Sequence, residues 1–161
     1  MYRSLGMSAI EFLFLANRKT KMGAEVDARS RARLDEARAL GKGVVIAASH
    51  TGNWDLAACA IASELSLLVV TKRLKIRWID AFWQNTRTAR GVRLCEATGA
   101  MTLAKTQLAA GGAVAMMIDQ VPAKKSHAEP VSFLGEEAFI DRAPAALAAR
   151  TRAPLVVSAA H

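Results

Sequence analysis

Val44-Val45-Ile46-Ala47-Ala48-Ser49-His50-Thr51-Gly52-Asn53-Trp54-Asp55 reads as a buried strand, a tight polar turn and the start of a helix. Five consecutive apolar residues without polar alternation predict a strand covered on both faces. Asn53 is a good N-cap for the helix that follows. His50 ends the strand, and Asp55 follows five positions later in the first turn of that helix. This spacing lets the carboxylate fold back onto the imidazole across the Thr51-Gly52-Asn53 turn. A histidine with an orienting carboxylate is the minimal equipment for taking a proton from a hydroxyl. Open α/β sheets place their chemistry at the carboxyl ends of strands, where His50 falls. A structural His–Asp pair has the same spacing, so the motif alone leaves both readings open. The context favours chemistry. A helix N-terminus beside His50 favours the neutral imidazole, and its N–H groups could hold a developing oxyanion.

Outward from this stretch the pattern alternates. Further strands are predicted at 67–71, 92–95, 113–118 and 154–158, with helices at 54–65, 76–90, 101–110 and 143–150 between them. The loop after the fourth strand carries Pro122, Lys124, Lys125 and Pro130, and residues 131–134 read as a short edge strand. Continuous apolar strands alternating with helices predict an α/β fold with one mainly parallel sheet flanked by helices. Asp119 and Gln120 lie just past the fourth strand, on the edge that carries His50 if the strands are parallel; loop capping is the competing role. Residues 2–16 form an apolar helix. Residues 18–42 are rich in Lys and Arg, including Lys19, Lys21, Arg29, Arg31, Arg33, Arg38 and Lys42. The division expected is a membrane-proximal helical segment, 1–43, and an α/β domain, 44–161. The chain stops straight after a strand, so the α/β domain is expected to be incomplete at its C-terminal end.

The 161 residues carry a formal charge of +8 and are 52% hydrophobic but only 6% aromatic. A basic balance favours acidic partners: anionic lipid, nucleic acid or an acidic carrier protein. No nucleic-acid motif or interleaved aromatic surface is present, which argues against nucleic acid. Cys59 and Cys95 are far apart, so they read as two half-buried free thiols of a reducing compartment, with neither a disulfide framework nor a metal site expected. No apolar run reaches the length of a membrane span. The basic segment beside the apolar 2–16 helix instead suits the surface of an anionic membrane. His127 and His161 are expected to be exposed or without a role, and Trp54, Trp78 and Trp83 to be core or interface anchors.

The run 49–55 resembles the HxGNWE/D signature of the bacterial lipid A biosynthesis acyltransferases, the lauroyl/myristoyl branch of the lysophospholipid acyltransferase superfamily. Other elements match in the same order. Val69-Val70-Thr71-Lys72-Arg73-Leu74 resembles the family's second strand, and Arg87-Thr88-Ala89-Arg90-Gly91 its arginine–glycine stretch. Met116-Met117-Ile118-Asp119-Gln120 resembles its strand ending in Asp-Gln, and Val131-Ser132-Phe133-Leu134-Gly135 its VxFFG element. The match covers residues 44–158. Three departures stand out: no N-terminal spanning helix, no C-terminal part after the last strand, and Asp55 where many relatives carry Glu.

The resemblance implies transfer of a fatty acyl chain from acyl carrier protein or coenzyme A to a hydroxyl of a membrane glycolipid or phospholipid. His50 then corresponds to the general base and Asp55 to its orienting acid. No metal, cofactor or enzyme nucleophile is implied. Substrate contacts are expected from Asn53, Arg73, Arg87, Arg90, Asp119 and Gln120. The arginines would clamp phosphates, with a solvated helix face as the alternative for Arg87 and Arg90. The location implied is the cytoplasmic face of the inner membrane, held peripherally. Two other classes stay open: a non-catalytic basic membrane-binding module, and a hydrolase in which His50 and Asp55 activate water. An apolar groove reaching His50 would favour acyl transfer.

Overall fold

The computed structural model describes residues 2–17, 19, 24–122 and 125–160, with side chains from residue 6 onward. Lys21, Lys124 and His161 lie outside them. The elements in chain order are α1 (Tyr2–Ala16), α2 (Ala28–Ala39), β1 (Val44–Ala48), α3 (Trp54–Glu64), β2 (Leu67–Thr71), α4 (Arg77–Ala89), β3 (Arg93–Glu96), α5 (Ala100–Ala109) and β4 (Ala113–Met117). A short 3-10 turn at Lys125–His127 leads into β5 (Ala128–Phe133), β6 (Glu136–Asp141), α6 (Ala143–Thr151) and β7 (Leu155–Ser158).

Five strands form one sheet in the order β3-β2-β4-β1-β7, and every pairing in it is parallel. The fold is therefore the α/β architecture expected. Residues 128–141 differ from the expectation. They form an antiparallel hairpin of their own, β5 with β6, and not a single edge strand. Gly135 and Leu134, both at positive φ, make its tight turn. The hairpin is tethered to the main sheet where the Asp141 N–H donates to the Ile118 carbonyl at 3.1 Å.

The strand residues alternate between two cores. Val45, Leu68, Val114 and Met116 pack against Ala104 and Leu108 of α5 and Leu147 of α6. Val44, Ile46, Leu67 and Ala115 face the other way, against Leu34 and Ala37 of α2 and Ala58 and Ile61 of α3. With both faces covered, the strands carry the continuous apolar runs seen in the sequence.

A third cluster joins α1 to the rest. Phe12 and Leu15 of α1 are buried with Cys59 and Val92, and the Phe12 ring stacks on Trp83 of α4 at 4.1 Å. So α1 and α2 both contribute to the core of the α/β unit.

Sheet order decides where the site falls. From β1 the chain crosses to β2, beyond β4. From β4 it proceeds to β7, beyond β1. The two neighbouring strands thus hand the chain off in opposite directions, and such a switch leaves a crevice at their carboxyl ends.

Candidate active site

The β1–β4 register pairs Ala48 with Met117. Two residues further on, the same register brings His50 level with Asp119. The Asp119 carboxylate accepts from the His50 backbone N–H at 2.6 Å, and its other oxygen lies 2.8 Å from His50 Nδ1. An ionised carboxylate can only accept, so Nδ1 carries the proton in the neutral ring and Nε2 is left as a free base. Burial pushes the Asp119 carboxyl up, but the hydrogen bonds from the His50 backbone and ring outweigh it. The net effect holds Asp119 below its ordinary value and keeps it ionised. Trp54 packs edge-on against the His50 ring at 5.0 Å and limits its rotation.

The turn between His50 and α3 requires its glycine. Gly52 has φ +56°, and a Cβ there would fall 2.6 Å from the Ala160 carbonyl oxygen. Asn53 then caps α3 by accepting from the Leu56 N–H at 3.2 Å.

Asp55 does not meet His50. Its carboxylate is buried and accepts from Arg87 Nε at 2.6 Å and Trp83 Nε1 at 2.9 Å, both on α4. The expected contact is corrected for a geometric reason. In the first turn of α3, Asp55 faces α4, while His50 leaves β1 on the side of β4. Asp119 takes the orienting position instead.

The other expected substrate contacts divide in two. Gln120 is an exposed wall residue of a cavity at the strand ends, and Asp119 reaches that cavity only through its bond to His50, which lines it. Asn53 and the three arginines have protein partners. The Asn53 amide donates to Glu11 Oε2 at 2.7 Å and to the Ser8 carbonyl, fastening α1 over the turn. Arg87 pairs with Asp55, and both residues also line the cavity that His50 lines. Arg90 donates to the Leu15 carbonyl at 2.8 Å and the Asn17 carbonyl at 2.9 Å, closing the end of α1. Arg73 bridges Glu96 and Asp80, each at 3.0 Å. Asp80 also accepts from the Leu74 N–H, and this bond leads in holding its carboxyl below the ordinary value. The sequence reading missed Asp80 and the roles of Trp54 and Trp83, because each depends on which elements become neighbours.

A cavity of about 920 Å³ opens beside His50. Besides a portion lined by Val70, Met101, Met116 and Ala143 on the α5/α6 face, its walls run from His50 and Trp54 down to Leu67 and Ile61, between the sheet and α3. Ile46, Val69, Ala58 and Ala115 make this part apolar. Lys72, Arg73, Leu74 and Lys75 stand at its rim, and His127 also lines it. No group of metal-ligating side chains occurs among the described residues.

The profile of the family described as bacterial lipid A biosynthesis acyltransferase matches residues 1–160. The chain belongs to that family. The lipid A biosynthesis acyltransferases transfer acyl groups, and the match spans α1, α2 and the whole α/β unit. No curated protein sequence gives a significant match. Among the described residues no helix is long and apolar enough to cross a membrane.

Proposed function

We infer that this lipid A biosynthesis acyltransferase moves a fatty acyl chain from an acyl thioester to a hydroxyl of a membrane glycolipid or phospholipid, with His50 as general base. The observation that carries this reading is the Asp119–His50 pair at the mouth of an apolar cavity. Asp119 holds the tautomer that leaves Nε2 free. The acceptor hydroxyl gives its proton to Nε2 as its oxygen attacks the thioester carbonyl. Asp119 stabilises the imidazolium, and collapse of the tetrahedral intermediate expels the thiolate, which takes the proton back from His50. First-turn N–H groups of α3 other than the capped Leu56 are the candidates for steadying the oxyanion. The reaction as written needs no metal, cofactor or enzyme nucleophile.

The donor is the thioester of acyl carrier protein or coenzyme A, and its chain occupies the apolar wall between the sheet and α3. The acceptor stays in the bilayer, so the enzyme works peripherally on the cytoplasmic face of the inner membrane. Asp55 supports the site indirectly by bracing α3 against α4.

The test combines thiol release from an acyl thioester with mass spectrometry of the acylated lipid. His50→Ala should lower transfer by about 10²–10⁴-fold with the fold intact. Near-normal turnover by a folded His50→Ala protein would place the base elsewhere. Thioester consumption that needs no acceptor would make the protein a hydrolase.

A further inference from the structure

We propose that residues 72–82 form a bilayer-docking hook that presses the mouth of the cavity against an anionic phospholipid surface. The proposal rests on the acyl-transfer reading for its purpose, but its evidence is separate. Leu74, Ile76, Trp78 and Phe82 are 48%, 53%, 75% and 37% exposed, although all are large and apolar. Lys72, Lys75 and Arg77 alternate with the first three and are exposed as well. The pattern therefore presents apolar side chains to a hydrocarbon boundary and cations to headgroup phosphates. Trp78 has the amphipathic ring favoured at that depth.

The hook is held in shape. Asp80, only 6% exposed, accepts from the Leu74 N–H at 2.9 Å and from Arg73 Nη1 at 3.0 Å, and Arg73 Nε reaches Glu96. These bonds tie the loop to α4 and to the end of β3. They keep Leu74 and Ile76 from folding back onto the protein. Trp78 and Phe82 follow on one face of α4, four residues apart. Phe82 meets the Phe12 ring edge-on at 6.1 Å, which joins the strip to α1. The outer face of α1 adds Met7, Ile10, Leu13 and Phe14, all at least half exposed.

A second copy of the chain is a poor occupant. A twofold contact on this strip would crowd two copies of Lys72, Lys75 and Arg77 into one interface. An anionic bilayer satisfies both the cations and the apolar side chains. Docked this way, Lys72, Leu74 and Lys75 at the cavity rim meet the membrane, and a lipid acceptor reaches His50 without leaving it.

The test uses the full chain and vesicles of phosphatidylglycerol or of phosphatidylcholine, the latter neutral. Ile76→Ala/Trp78→Ala should co-sediment with phosphatidylglycerol vesicles about tenfold more weakly than the parent, with an unchanged circular dichroism spectrum and melting temperature. Bromine-labelled phosphatidylglycerol should quench the parent's tryptophan fluorescence, and Trp78→Phe should lose most of that quenching. Undiminished binding by the double variant, or undiminished quenching in Trp78→Phe, would overturn the proposal. So would a dimer in solution that the double variant abolishes. Transfer to a detergent-dispersed acceptor should survive in the double variant. If the parent docks through the strip yet transfers to no acceptor, the docking stands and the acyl-transfer reading fails.

Discussion

Asp119 uses both carboxylate oxygens on His50, one on the backbone and one on the ring. That grip sets the position and the tautomer of the imidazole together. Asp55 serves a different purpose, as the buried partner of Arg87 and Trp83. The two aspartates should therefore fail differently. Asp119→Asn should fold normally and lose transfer activity, because an amide no longer stabilises the imidazolium. Asp55→Ala leaves the half-buried Arg87 guanidinium and the Trp83 N–H without their acceptor, and losing such a charged hydrogen-bond partner costs about 1.5–3 kcal/mol. Denaturant unfolding and turnover on the same preparations distinguish them. The acid limb separates them further. The folded carboxyl of Asp119 titrates below its unfolded value of 3.8, so its contribution to stability is full above that pH. It is lost as the pH falls through the folded value. Asp119→Asn should remove this part of the acid sensitivity.

At the scale of elements, α1 belongs to the core as well as the surface. Phe12 is fully buried and stacked on Trp83, while Asn53 and Arg90 fasten both halves of the helix from the outside. Phe12→Ala should lower unfolding stability by about 3–5 kcal/mol, read from the denaturant midpoint at constant slope. A loss below 1 kcal/mol would mean that α1 is only loosely attached. The helix has two apolar sides for this reason: one seals Cys59 and Val92, and the other, from Met7 to Phe14, faces outward. The hairpin of β5 and β6 is the opposite case. It is a two-stranded ribbon with exposed Phe133 and Leu134 at its tip, joined to the main sheet through Asp141.

Over the whole molecule, the two cysteines report on the two faces of one sheet. Cys59, on α3, is packed under α1, and Cys95 lies on the opposite face with α5. Burial, aided by the Asp55 charge, pushes the Cys59 thiol up to about 11, and burial raises Cys95 as well. Both thiols should resist iodoacetamide at pH 8 in the native protein. As urea rises they should become reactive over the same narrow range, since one cooperative unit exposes both faces together. Early release of Cys59 alone would show that the α1 side opens independently. The net charge of +8 belongs to this scale too, because any attraction to an anionic surface that it produces acts on the whole molecule and weakens with salt.

Local chemistry determined a good deal. Apolar runs set β1, β2 and β4 almost to the residue, because a strand covered on both faces admits no polar position. Asn53 and Gly52 marked the turn, since only a cap and a positive φ suit that site. His50 and Asp119 were legible as residues at strand ends. Their partnership was not, because nothing in the order of the chain says that β4 inserts between β1 and β2. The same limit explains Asp55, Arg73, Arg87 and Arg90. Each is a charged group near the site in sequence, and only packing showed that its charge is already answered by a protein partner. Periodicity follows from neighbours along the chain. The pairing of side chains follows from strand order and helix placement, which are properties of the whole fold.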